Sequence, residues 1–84
     1  MELTYTYLNL TPRQREVVYW VSEGLSNEEV AQKLVVQPCV VAGHLTSIYD
    51  ILSIEWECRV NRPRLIRQFA VFFYRNPKLI PIRH

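Results

Sequence analysis

The cysteines and histidines of this 84-residue chain, the side chains most suited to zinc or to thiol chemistry, are Cys39, His44, Cys58 and His84. A cysteine, a histidine five positions on, a distant second cysteine and a final histidine match no zinc-finger spacing. Cys39 as a nucleophile beside His44 would need a third group to orient the imidazole, and no residue stands where one is required. Cys39 is expected instead as a small, partly buried thiol. Gly24 and Gly43 are the only glycines, so a glycine-rich phosphate loop cannot be built. Glu28 and Glu29 follow Ser26 at cap spacing and read as helix-capping and dipole residues. The chain therefore reads as no enzyme, with no metal and no cofactor.

What remains is non-covalent recognition. Residues 1–36 carry three cations against five carboxylates, whereas residues 37–84 carry seven against three. A basic second half suits phosphate or an acidic partner, although a solvated surface gives the same imbalance. A chain of this length buries only about 60–65% of its unfolded surface, which leaves room for one small domain and no large cleft. Apolar residues at 49% and charged residues at 21% are a globular composition. No long apolar run suggests a membrane span, and Met1-Glu2-Leu3 opens no secretory signal. Two cysteines are too few for a disulfide scaffold, so reduced thiols and a cytoplasmic location are expected.

The elements that would position a recognition surface are helices. Residues 1–9 alternate Leu3, Tyr5 and Tyr7 with threonines, which fits an ordered arm, a short strand or a loose segment. Thr11-Pro12-Arg13-Gln14 starts a first helix, with Thr11 as cap, Pro12 in the first turn and Gln14 reaching back. Val17, Val18, Trp20 and Val21 follow as core, and Gly24 fits the left-handed stop. Ser26 to Glu29 caps a second helix with Val30, Ala31 and Leu34 inward. Pro38 opens a third, whose Val41, Leu45, Ile48 and Leu52 are spaced four, three and four. Residues 53–61 break that pattern and read as a loop. Within it, Trp56 either caps the core or meets a partner. A fourth helix spans 63–75, and residues 76–84 read as an extended tail.

The run Leu10-Thr11-Pro12-Arg13-Gln14-Arg15-Glu16-Val17, the stretch Glu23-Gly24-Leu25-Ser26-Asn27-Glu28-Glu29-Val30-Ala31-Gln32-Lys33-Leu34, and then His44-Leu45, Ile48-Tyr49 and Leu52 resemble the LuxR-type (GerE-like) helix-turn-helix family over residues 10–52. The resemblance implies an all-α, four-helix bacterial domain over 10–75, with its helix-turn-helix proper at 26–45. It implies binding to double-stranded DNA in transcription regulation, with the third helix as reader and the helix at about 63–75 supplying dimer contacts. In the family such a domain usually follows a receiver or ligand-binding domain. At this length a stand-alone output domain is expected.

The chain departs from the family where DNA should be touched. Cys39 and Ala42 stand where lysines are expected, Val40 and Gly43 where threonines are, and Asp50 where a basic residue is common. The third helix then holds no lysine or arginine, and duplex affinity comes largely from neutralised phosphate. Two accounts stay open. In one, Gln37, Val40, Ala42, Gly43, His44, Thr46 and Ser47 contact DNA while Arg62 and Arg64, with Arg59 and Arg67, supply charge. In the other, the scaffold has lost DNA and regulates by binding a protein through Cys39, Val40, Ala42 and Gly43. On the fourth helix, Leu65, Phe69 and Phe72 form one stripe, and Ile66, Ala70 and Phe73 a second. A small core needs one stripe, so these side chains are expected at a homodimer or partner interface. The bland reading is that Tyr5, Tyr7, Leu79 and Ile80 cover them.

Overall fold

Capping chemistry sets where the helices begin. In the computed structural model, which describes residues 3–82, Thr11 Oγ1 accepts from the Gln14 amide at 3.1 Å and Gln14 Oε1 accepts from the Thr11 amide at 3.0 Å. The same reciprocal pair joins Ser26 and Glu29, at 3.2 and 2.9 Å. These caps open α2 (Pro12–Ser22) and α3 (Asn27–Leu34), and Gly24 closes the first of the two turns at φ +91°. α4 (Pro38–Glu55) and α5 (Arg62–Arg75) each carry proline in the first turn. The fold is all-α, as expected, with no strand among the described residues.

Three boundaries differ from the sequence reading. The arm is largely a helix, α1 (Leu3–Leu8), and its period-2 appearance was a coincidence of short length. Leu3, Tyr7 and Leu10 also satisfy helical spacing, and over so few residues only tertiary packing can choose. The third helix runs three residues past its apolar stripe, because Ser53 has its own role: its hydroxyl accepts from the Val60 amide at 3.1 Å and latches the following loop. That loop therefore shrinks to residues 56–61. The tail is not simply extended either. It makes a 3₁₀ turn (Pro77–Leu79), and Leu79, Ile80 and Ile82 pack half-buried against the core. His84 and the Met1-Glu2 start lie outside the described residues.

The core explains the aromatic stripes of α5. Leu65 and Phe69 are fully buried, Phe72 and Phe73 nearly so, and Ile66 is half-buried. The expected interface through Leu65, Ile66, Phe69, Phe72 and Phe73 is thus corrected: four of these side chains are interior in the single chain, and Ile66 alone of the five is partly exposed. The covering element is α1 together with the tail. Tyr7 stands among Phe69, Phe72 and Phe73 with ring centroids at 6.2, 5.2 and 5.4 Å. Its hydroxyl donates to the Leu79 carbonyl at 2.8 Å, so one residue joins both ends of the chain. Arg15 closes over the Tyr7 ring and donates to the Tyr7 and Leu8 carbonyls. Burial pushes the Tyr7 phenol up to about 12, against the lowering effect of Arg15. A chain of 84 residues has little core to spare, and Phe73 of the second stripe adds to the buried Leu65, Phe69 and Phe72, whereas Ala70 of that stripe is exposed.

Trp56 caps the core at 7% exposure as the residue ending α4. Trp20, expected in the core, is half-buried at its rim, with the Lys33 ammonium 5.0 Å from the ring centroid. No single helix among the described residues is long and apolar enough to cross a membrane.

Candidate nucleic-acid interface

Between α3 and α4 the chain turns through 107° in three residues. Val35 makes this turn possible by adopting φ 57°, ψ 50° while 89% exposed. A β-branched residue in the left-handed region is strained, and no glycine is present here to relieve it. The turn lays the inner face of α4 across α2 and α3: Val41, Ile48 and Leu52 are fully buried and Leu45 nearly so.

The opposite face of α4 then projects. Cys39, Val40, Ala42, Gly43, Thr46, Ser47 and Asp50 are all exposed, Gln37 is exposed just before the helix, and His44 is half-buried at the edge. Successive residues are 100° apart on a helix, which puts Cys39, Gly43, Thr46 and Asp50 near the centre of this face. The expected partly buried thiol at Cys39 is therefore corrected, since the helix turns it outward; Cys58 is the half-buried one. Ile54, 78% exposed, extends the face and lay beyond the helix end expected from sequence.

What the face offers is contour and a few hydrogen-bonding groups. Space around Gly43 is open: a Cβ there would meet nothing within 4 Å, so no internal contact demands glycine. Thr46 Oγ1 donates back to the Ala42 carbonyl at 3.1 Å, which leaves the oxygen free to accept. Gln37 makes no side-chain cap, so the positive end of α4 is not closed by its own sequence.

The arginines divide. Arg62, expected to supply charge to DNA, is a clasp: its guanidinium donates to Asn27 Oδ1 at 2.6 Å and to the Leu25 carbonyl at 2.7 Å. It ties the start of α5 to the start of α3, and its charge also reaches Tyr49, whose phenol burial pushes up. Asn61 caps α5 by accepting from the Arg64 amide at 3.1 Å, a cap that sequence reading missed although Asn before Arg-Pro is its signal. Arg59 and Arg64 are exposed. Arg67 lines a groove with Leu3 and Arg75, none of it formed by α4. Among the described residues no cluster of three His, Cys, Asp or Glu side chains could hold a metal ion.

Two helices joined by a tight, steep turn, the second with one face wholly interior and the other wholly outward, define a helix-turn-helix domain. Residues 8–59 match the family described as bacterial regulatory proteins, luxR family (GerE), and the chain belongs to that family. It is 50% identical over 46 residues to "Putative HTH-type transcriptional regulator Rv0890c" of Mycobacterium tuberculosis and to its counterpart Mb0914c in Mycobacterium bovis. Those matches take in 55% of this chain and only 5% of each relative's length. "Probable transcriptional regulator ycf29" of Guillardia theta is 26% identical over 68 residues, covering 81% of this chain and 30% of that protein. No solved structure matches the chain.

Proposed function

We propose that this domain is a DNA-binding transcription regulator of the LuxR helix-turn-helix type, acting in the cytoplasm without catalysis or cofactor, with α4 as the helix that enters the major groove. One observation carries the reading: every candidate contact on α4 from Val40 to Ser47 lies on the outward face, except half-buried His44 at its edge. An α-helix fits a groove about 12 Å wide. Small side chains at Ala42 and Gly43 let the helix axis approach base edges closely, with Ala42 and Val40 suited to thymine methyls and Gln37, Thr46 and Ser47 to polar edges or phosphates. With no lysine or arginine on α4, affinity rests on few phosphate contacts, so its salt dependence is shallow. Fluorescence anisotropy of a labelled mixed-sequence duplex at two salt concentrations tests this. Binding at low salt supports it, and no binding at low salt overturns it.

Asp50 on the outward face, and Arg62 and Arg67 directed elsewhere, favour a second reading in which α4 docks on a protein. Homodimerisation through α5 loses its apolar seam, because four of those five side chains are core. A two-fold pairing of the face α5 leaves outward would set arginine against arginine, which disfavours it. Light scattering of the isolated domain is expected to give a monomer.

A further inference from the structure

Between α1 and α5, away from α4, lies an open groove of about 490 Å³. Its apolar floor is Leu3, Phe72 and Val71, the last 48% exposed. Arg67, Gln68, Arg75 and Asn76 complete its lining. On α5 the order Arg67, Val71, Arg75 is one stripe, spaced by four and four. The two guanidiniums are thus anchored about 12 Å apart along the helix, two turns, with the apolar spot midway. Among the described residues neither guanidinium makes an ion pair, and residues 58–82 contain no Asp or Glu at all.

We infer that this groove is a docking surface for an acidic amphipathic helix of another protein, one that places two carboxylates two turns apart around a central apolar side chain. Charge complementarity selects that occupant. A second copy of the chain would bring arginines onto arginines. A nucleic-acid backbone would use the cations and leave the apolar floor against phosphate and sugar, a poor match for Leu3, Val71 and Phe72. The surface is independent of α4, so it stands or falls separately from DNA binding.

The test uses the full chain and a fluorescein-labelled, alanine-based helical peptide with two glutamates two turns apart and one leucine midway between them on the same face. The control peptide has the same composition with glutamates and leucine on opposite faces. Two exposed ion pairs plus one apolar contact predict binding about fivefold tighter than the control. Arg67→Gln with Arg75→Gln should reduce it to the control level, with circular dichroism showing an intact fold because both side chains are exposed. Amide chemical shifts of the unmodified chain should move around Leu3, Val71 and Arg75. Equal binding of the two peptides overturns the inference. So does a duplex that shifts the same amides and competes with the peptide. A double variant that changes only the oligomeric state, with peptide binding retained, also overturns it and assigns the face to self-association.

Discussion

Arg62 distinguishes a structural reading of the basic residues from a DNA-contact reading. Its two hydrogen bonds, at 2.6 and 2.7 Å, link residues 35 and 37 positions apart in sequence and hold the helix-turn-helix unit to α5. Each bond has a charged donor and contributes on the order of 1.5–3 kcal/mol. Arg62 is half-exposed, so water replaces part of what is lost, and Arg62→Ala should cost about 2 kcal/mol in total. For a domain of this size that lowers the melting temperature by about 8–16 °C. Arg62→Lys, which keeps the charge but loses the planar two-nitrogen fork that makes both bonds, should fall between. Thermal melts followed by far-UV circular dichroism measure both variants. Tyr49 gives a second readout: the Arg62 charge lowers its phenol pKa, so the phenol should titrate still higher in Arg62→Ala. The reasoning is refuted if Arg62→Ala melts within about 2 °C of the parent while the salt slope of duplex binding drops by about 0.9, the signature of one lost phosphate contact.

Val35→Asn should stabilise the domain by about 0.5–1 kcal/mol in urea unfolding, since asparagine tolerates the left-handed region and the exposed valine side chain loses little. Phe69→Glu should leave the chain unfolded by circular dichroism, because the side chain is fully buried and even truncation of such a residue costs about 3–5 kcal/mol. A folded Phe69→Glu variant would return α5 to the surface. For Tyr7 the folded phenol is raised to about 12 from 10.0, so its neutral form is favoured in the fold. Its stabilisation is complete below pH 10 and is lost as pH rises from 10 to 12; denaturant midpoints should fall across that window, and Tyr7→Phe should flatten the fall. Ala42→Lys, exposed and in a helix interior, should tighten duplex binding at low salt and steepen the salt slope by about 0.9 in anisotropy titrations.

Local chemistry was legible where it is self-contained. The Thr11–Gln14 and Ser26–Glu29 caps, the stop at Gly24 and the stripe from Val41 to Leu52 each follow from residue type and spacing, and each occurs as read. What failed depends on distant partners. Tyr7 is helical because α5 offers an aromatic socket, and no local pattern announces that. The same socket explains why Leu65, Phe69, Phe72 and Phe73 are all interior while Ala70 of the second stripe is exposed: sequence shows that a face is apolar but not which element covers it. Arg62 looked like surface charge because Asn27 and the Leu25 carbonyl are its neighbours only in space. On α4 Cys39, Ala42, Gly43, Thr46, Ser47 and Asp50 form one exposed face as their spacing implies, but Val40, which by spacing also flanks the inward stripe, is exposed, and the extension to Ile54 was hidden by a loop signal that Ser53 and Trp56 turn into a helix end.

Chemical-shift mapping on addition of a mixed-sequence duplex tests the central claim most directly. The account predicts that amides of Cys39, Val40, Gly43, Thr46 and Ser47 move most at low salt and that those at the centre of α5 stay still. Shifts confined to α5, or none along α4 while the duplex binds, would contradict it.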